Sequence, residues 1–138
     1  MSFNEHLRRG LALITLSLFF IGCGGGGASD APDLGQVSGV VTMDGKPLEG
    51  AMVTFEPTGA AASMGKTDAE GKFTLSYLNG KQGAAIGTHT VRVSVPSPGD
   101  APDPSYQDPV PPTYNINSQM TEDVKAGDNE FTFELSSH

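Results

Sequence analysis

Cys23 is the single cysteine of the chain, and it stands in the stretch FFIGCGGGG, where four glycines follow it directly. Its thiol is the most nucleophilic group that the sequence offers. A solitary cysteine has no disulfide partner in its own chain, and an unpaired thiol is a liability in an oxidising compartment. The role of Cys23 therefore depends on the segments on either side of it.

Only two histidines follow Cys23, namely His89 and His138. His89 is in phase with Val91 and Val93 on an alternating segment, which predicts a structural residue at the core or its edge; a ligand or general base is the alternative. His138 is terminal, where chains fray. The sequence has no GxSxG, HExxH or P-loop pattern and no zinc-ligand spacing. We therefore expect no catalytic residues, no metal and no cofactor.

Three carboxylates, on Asp44, Asp68 and Glu70, fall in turn sequences. They could bind calcium, but their spacing is not that of an EF-hand loop, and turn carboxylates more commonly cap backbone N–H groups. An isopeptide cross-link would need a lysine inside a strand core. Lys72 is out of phase with the apolar residues that follow it, so the pattern argues against such a link.

The segment before Cys23 has the layout of a signal peptide. Arg8 and Arg9 give it a positively charged start, and Leu11 to Ile21 is an uncharged, mostly apolar run. As a helix this run would span only about 17 Å, whereas a membrane span needs about 20 residues. Residues 1–22 are therefore predicted to be a signal peptide rather than a transmembrane helix.

The residues Ile21, Gly22 and Cys23 resemble the lipobox of bacterial lipoproteins, although Phe20 stands where that family usually has leucine. The resemblance implies that Cys23 carries a diacylglyceryl group and palmitate-type acyl chains, which attach the protein to a membrane. It also implies cleavage before Cys23, and Gly24 leaves sorting to an outer membrane open. The alternative is an ordinary secretory signal that is cleaved at another small residue.

The sequence from Cys23 onward divides into a tether and one small domain. Residues 23–36 are rich in glycine and other small residues, which predicts a flexible tether with a reach of about 20 Å. Residues 37–138 form the domain. The chain has a formal net charge of −8, and phosphates repel such a chain, which argues against nucleic acid as a partner.

Alternation of apolar and polar residues predicts an all-β domain. The alternating segments are 37–43, 51–57, 73–77, 87–95 and 129–135, with a weaker one at 118–124, while residues 58–66 are predicted to be a loop. Six or seven strands without an amphipathic helix indicate an antiparallel sandwich of two sheets. The predicted core consists of Val37, Val41, Leu48, Val53, Phe55, Phe73, Leu75, Tyr77, Val91, Val93, Phe131, Phe133 and Leu135.

Three segments, VSGVVTMDGKPLEGAMVTF, TDAEGKFTL and GTHTVRV, resemble the carboxypeptidase regulatory-like domain. The resemblance implies a transthyretin-type (prealbumin-like) sandwich of about seven strands that is not itself a peptidase. It covers residues 37–95 well. The sequence departs from the pattern at His89, where an aromatic residue is usual, and at the proline-rich residues 96–119.

The enzymes that share the transthyretin-type fold do not match this sequence. Hydroxyisourate hydrolases have several active-site histidines and arginines and end in Tyr-Arg-Gly-Ser, whereas this chain ends FELSSH and has one arginine, Arg92, after Cys23. Related iron dioxygenases need two tyrosine and two histidine ligands, and the histidines do not suffice. The comparison supports a protein that is not an enzyme.

Residues 96–119 hold seven of the ten prolines. They predict either a stiff crossover whose tyrosines cover the sandwich, or a binding loop with Tyr106 and Tyr114 as exposed anchors. Two functions remain open. The first is a non-catalytic, lipid-anchored protein of the cell envelope that presents the sandwich to an envelope protein. The second is a lipoprotein that binds a small ligand or glycan through the proline-rich loop.

Overall fold

The computed structural model describes residues 32–138, so Cys23, the signal segment and most of the tether lie outside the described residues. Within residues 32–138 no helix is long and apolar enough to cross a membrane. The described chain is almost entirely β, with short 3-10 helices at Leu78–Gly80 and Pro112–Tyr114. Its strands are β1 (Leu34–Met43), β2 (Lys46–Pro47), β3 (Met52–Pro57), β4 (Ser63–Lys66), β5 (Lys72–Thr74), β6 (Ala84–Ala85), β7 (Gly87–Ser94), β8 (Thr121–Val124) and β9 (Asp128–Leu135).

The first sheet has five strands and is built around β1. Strands β2, β5 and β6 pair with β1 in antiparallel orientation. Strand β9 runs parallel to β1, from Gln36 opposite Asp128 to Met43 opposite Leu135. The predicted antiparallel sandwich is confirmed apart from this pair. A parallel pair cannot be joined by a hairpin, and here the intervening strands of both sheets form the long connection.

The second sheet has four antiparallel strands in the order β4-β3-β7-β8. Met52, at the start of β3, is opposite Lys66 on one side and Ser94 on the other. The start of β3 and the ends of β4 and β7 therefore meet at one end of this sheet. The two sheets are tied together at one side, because Met64 of β4 and Ser76 exchange two main-chain hydrogen bonds of 3.0 and 2.9 Å.

The inner faces of the two sheets bury one continuous hydrophobic core, as the alternation predicts. The centre of this core is aromatic: the ring of Phe55 lies 5.6 Å from that of Phe131 and 6.1 Å from that of Phe133, between centroids. Predicted core residues that are buried are Val37, Val41, Val53, Phe55, Phe73, Leu75, Val91, Val93, Phe133 and Leu135, and Ala51, Ala84, Val110 and Val124 join them.

Three predicted core residues are only partly buried. Leu48 lies in the loop after β2, and Phe131 lies on β9, whose outer edge has no neighbouring strand in the described sheet; both pack against the core from its rim. Strand β5 ends at Thr74, and the chain then turns into the 3-10 helix Leu78–Gly80. Burial still alternates from Phe73 to Tyr77, but Tyr77 lies after the end of β5 and is only half-buried.

The prediction of a loop over residues 58–66 is wrong at its end, because Ser63–Lys66 forms β4. This strand is made of small and flexible residues rather than β-branched ones, so it lacks the usual sequence signal. Its composition has a packing reason. A Cβ atom added to Gly65 would lie 2.3 Å from the main-chain oxygen of Thr74, so only glycine lets the two backbones come this close.

Candidate functional site

The first half of the proline-rich segment is held against the end of β7. The hydroxyl of Tyr106 donates a hydrogen bond of 2.8 Å to the main-chain oxygen of Val95. The Asp108 carboxylate accepts hydrogen bonds from the N–H groups of Val95, at 3.1 Å, and Val110, at 2.8 Å. The Val110 side chain is 2% exposed and belongs to the hydrophobic core. This part of the segment is therefore packed onto the sandwich.

The second half of the segment is held by Arg92, which points outward from β7. The Nε atom of Arg92 lies 2.8 Å from Oε2 of Glu56 on the adjacent strand β3. Its Nη1 atom donates to the main-chain oxygens of Asn115, at 2.5 Å, and Ile116, at 3.2 Å. The ion pair is partly exposed and contributes little stability by itself. Its Nη1 hydrogen bonds to two successive main-chain oxygens fix the position of the segment after Pro112–Tyr114.

The two tyrosines that the sequence proposes as binding residues lie in different surroundings. Both are half-buried. Tyr114 packs against the core, and its hydroxyl oxygen accepts a hydrogen bond of 3.2 Å from the N–H of Ser136, just after β9. Tyr106 lies beside Val95, just after β7. The two hydroxyls are therefore bonded to different parts of the sandwich, and Tyr114 is not among the residues that line the groove around Tyr106.

Tyr106 lines a shallow groove of about 550 Å³, which we call the Tyr106 groove. It lies at the end of the second sheet where β3 begins and where β4 and β7 end. The residues that define it here are Lys66, Val95, Pro96, Ser97, Pro98 and Tyr106. Its walls are more apolar than polar, as the walls of small-molecule sites usually are.

Two polar side chains are among the residues that line the Tyr106 groove. Lys66 is exposed and places an ammonium group at the rim. The Ser97 hydroxyl oxygen is buried and has no hydrogen-bond partner among the described residues. No carboxylate is among the described residues that line the groove. The lining of the groove therefore carries one positive charge and no negative charge, and this local arrangement suits an anionic ligand.

Two further depressions on the described surface have carboxylates in their walls. One, of about 330 Å³, is lined by Glu122 and Asp123 together with Lys125. The other, of about 480 Å³, is lined by Asp68 and Lys72, and shares Lys66 with the Tyr106 groove. The linings of both depressions contain carboxylates as well as lysines, whereas the lining of the Tyr106 groove contains a lysine and no carboxylate.

His89 is buried within the sandwich, at 1% exposure, as its phase predicts. Its ring lies 5.5 Å from that of Phe55, and its Nε2 atom lies 2.5 Å from the main-chain oxygen of Ala85. Because a carbonyl oxygen only accepts, Nε2 carries the proton in this bond. Its Nδ1 atom has no hydrogen-bond partner among the described residues. This environment is that of a packed structural side chain.

The end of the chain brings together a serine, a histidine and an aspartate. Ser137 donates to the Asp44 carboxylate through its N–H, at 3.0 Å, and through its hydroxyl, at 2.6 Å. The Ser137 hydroxyl oxygen also lies 2.8 Å from Nδ1 of His138. In hydrolase triads the histidine stands between the serine and the acid. Here the serine is in the middle, so no relay from serine through histidine to aspartate exists.

The two Ser137 hydrogen bonds lower the pKa of Asp44 below its ordinary value of 3.8. Since the folded-state pKa is depressed, the stabilisation from these bonds is present above pH 3.8 and is lost as the pH falls through the folded-state pKa. We expect Ser137→Ala to raise the Asp44 pKa toward 3.8 in an NMR titration of the carboxyl carbon. Ser136→Ala is the matched control. An Asp44 titration midpoint that stays unchanged in Ser137→Ala would contradict this assignment.

The hydrogen bonds of the turn carboxylates are typical of capping residues and not of metal ligands. Asp68 accepts hydrogen bonds of 2.9 Å from the N–H groups of Glu70 and Lys72. The Glu70 carboxylate lies 3.1 Å from the Lys72 ammonium and raises the pKa of that lysine. Gly71 closes the predicted turn with a φ of +76°. Among residues 32–138, no three His, Cys, Asp or Glu side chains cluster to hold a metal ion.

Comparison with protein-family models and with curated proteins identifies no relative of this chain. No protein-family model matches the chain, and no curated protein matches it. The resemblances to bacterial lipoproteins and to the carboxypeptidase regulatory-like domain therefore stay predictions from the sequence. What the described residues establish is a β-sandwich with a proline-rich segment packed on it and the Tyr106 groove beside that segment.

Proposed function

We propose that this protein is a non-catalytic lipoprotein of a bacterial cell envelope, exported and anchored through acyl chains on Cys23, in an outer rather than an inner membrane. The observation that carries the proposal is the stretch FFIGCGGGG after a short apolar run. Each buried methylene contributes about 0.8 kcal/mol, and one acyl chain alone binds only marginally. Two or three chains on one cysteine give durable attachment.

The sandwich acts in this proposal as an interaction module for an envelope protein. Its segment 112–120 supports this role, because Arg92 fixes the main chain at Asn115 and Ile116. The Ile116 side chain is 71% exposed on this fixed backbone. We propose this side chain as one contact with the partner, because the centres of protein–protein interfaces are apolar.

We also infer that the domain is of the carboxypeptidase regulatory-like, transthyretin-type class. The segments that carry the resemblance lie on the strands that line the core: VSGVVTM on β1, MVTF on β3 and GTHTVRV on β7. The turn glycine of TDAEGKF supports the same inference. A Cβ atom added to Gly71 would lie 2.4 Å from the main-chain oxygen of Val41.

The non-catalytic part of the proposal rests on the surroundings of the reactive side chains. His89 is buried against Phe55 and bonds to a main-chain oxygen, so a substrate does not reach its ring. Ser137 is exposed, but its hydroxyl donates to Asp44 and not to a histidine base. General acid–base or nucleophilic catalysis needs an accessible base in line with a nucleophile, and neither group supplies one.

The anchor is tested by Cys23→Ser, which removes the only sulfur that an acyl transferase could modify. We expect the wild-type chain to enter the detergent phase in phase partitioning and to incorporate labelled palmitate. The variant should incorporate no palmitate and should either stay in the aqueous phase or accumulate as the uncleaved precursor. Ser29→Ala, a small change within the predicted tether, is the matched control and should behave as wild type.

Two outcomes would end the lipid-anchor proposal. The first is palmitate incorporation that persists in Cys23→Ser. The second is a wild-type chain that carries no acyl group when it is expressed in a bacterium with a functional lipoprotein pathway. Either result would leave an ordinary secretory signal as the explanation of residues 1–22.

A specific observation also favours the second candidate function, a lipoprotein that binds a small ligand or glycan. The Tyr106 groove combines apolar walls with the unpaired hydroxyl of Ser97 and the ammonium of Lys66. Concave, mostly apolar surfaces with a few polar groups are the usual form of ligand sites. Mapping of chemical-shift changes during titration with small ligands tests this function, since the groove residues should respond first.

A further inference from the structure

We propose that the Tyr106 groove binds an acidic saccharide, that is, a sugar chain bearing carboxylates such as a uronic acid oligomer. This inference rests on the proposed use of the groove as a ligand site and does not depend on the lipid anchor. Three features of the groove carry it: an aromatic and proline wall, a single cationic group, and a main chain in which Val95 is already bonded and Pro96 and Pro98 have no N–H.

The wall of the groove suits a sugar ring. Tyr106, Pro96 and Pro98 line it, and Val95 adds an aliphatic surface. Pyranose rings have an apolar face of C–H groups that packs against aromatic and proline rings. The Tyr106 ring is held in place because its hydroxyl donates to the main-chain oxygen of Val95. A rigid ring loses little conformational entropy when a ligand packs on it.

The charge in the groove selects an acidic sugar over a neutral one. Lys66 is the cation at the rim, and no carboxylate is among the described lining residues. Lys66 is the last residue of β4, so the backbone from which its side chain extends is ordered. A sugar carboxylate would form a charge-assisted hydrogen bond with this ammonium, and such bonds are stronger than neutral ones.

The main chain of the groove disfavours an extended peptide. Peptides that add to a sheet need free N–H and C=O groups along a strand. The N–H of Val95 already donates to Asp108, and its oxygen already accepts from Tyr106. Pro96 and Pro98 have no N–H to donate. A saccharide can use side-chain groups instead, and the exposed Lys66 ammonium supplies one at the rim of the groove.

The test measures binding of tetragalacturonate to the full chain purified in detergent, by isothermal titration calorimetry and by NMR chemical-shift mapping. We expect binding with shift changes at Lys66, Tyr106 and residues 95–99. Maltotetraose, a neutral saccharide, and tetraglutamate, an acidic peptide, are the comparison ligands. Each should bind at least about tenfold more weakly than tetragalacturonate, which corresponds to about 1.4 kcal/mol.

Paired variants assign the two parts of the site. Lys66→Gln should weaken tetragalacturonate binding about tenfold, whereas Lys81→Gln, an exposed lysine outside the groove, should not change it. Tyr106→Ala should weaken binding by a similar factor. Tyr106→Phe keeps the ring and loses only the hydrogen bond to Val95, so it should bind within about threefold of wild type. If Tyr106→Ala does not fold, the effect of Lys66→Gln on tetragalacturonate binding tests the proposal.

The possible failures are distinguishable. If tetraglutamate binds as tightly as tetragalacturonate, the groove recognises charge alone, and the saccharide assignment is overturned. If maltotetraose binds equally well and Lys66→Gln has no effect, the site takes neutral sugars, so the acidic class is wrong while ligand binding stands. If none of the three ligands binds the folded chain, both this inference and the ligand-binding function fail.

Discussion

Replacing Phe55 by alanine is expected to lower the free energy of unfolding by about 3–5 kcal/mol, the range for truncating a buried aromatic residue. Phe55 has no exposed surface. Its ring lies within 5.5 to 6.1 Å, between centroids, of the rings of His89, Phe131 and Phe133, which belong to both sheets. The truncation would leave a cavity at the point where the two sheets meet.

Chemical denaturation of the purified chain and of the Phe55→Ala variant measures this change. A domain of about 100 residues loses roughly 4–8 °C of Tm per kcal/mol, so the thermal midpoint should fall by more than about 12 °C. Phe131→Ala is the matched control, because Phe131 is in the same cluster but only partly buried. It should cost less than half as much. If both variants lost the same free energy of unfolding, the greater burial of Phe55 would not be the reason for its contribution to stability.

Strands with strong alternation could be predicted from the sequence to within a few residues. GTHTVRVSV places valines on one face, and β7 spans Gly87–Ser94 with Val91 and Val93 fully buried. NEFTFEL does the same for β9, where Phe133 and Leu135 are buried. The reason is physical: a half-buried strand has to place apolar residues with a period of two, and few other structures need that pattern.

Features that depend on contacts between distant segments could not be predicted. Strand β4 could not be predicted from the sequence. Its Gly65 is explained by the close approach of the Thr74 backbone and not by strand propensity. The parallel pairing of β1 and β9 depends on the path of the whole intervening chain. Val110 lies among prolines with no periodic pattern, yet it is buried because Asp108 fixes the main chain on either side of it.

The candidate site was only partly visible in the sequence. Composition pointed to the proline-rich residues 96–119 and to Tyr106 within them. Lys66 could not be associated with Tyr106, because the two come together through the pairing of Met52 with Lys66 and Ser94. The Asp44–Ser137 contact could not be predicted either, because it joins a turn after β1 to the residues after β9. Such sites follow from register, which a single sequence specifies only weakly.

Gly39→Ala is expected to lower the free energy of unfolding by at least about 2 kcal/mol, through overpacking. Gly39 lies in the middle of β1, directly opposite Phe73 on β5 and Phe131 on β9. A Cβ atom there would lie 2.1 Å from the main-chain oxygen of Phe131 and 2.8 Å from the ring of Phe73. The first neighbour is backbone, so β9 itself would have to move.

Two opposing effects determine whether Gly39→Ala raises or lowers the free energy of unfolding. Replacing glycine by alanine restricts the unfolded chain and by itself stabilises a protein by about 0.4–1 kcal/mol. The clash at Gly39 should exceed that gain and should also speed amide hydrogen exchange along β9. Ser38→Ala, at the neighbouring exposed position of β1, should change stability by less than about 0.5 kcal/mol. A Gly39→Ala variant as stable as wild type, with unchanged exchange on β9, would show that β1 and β9 are not held in this close parallel register.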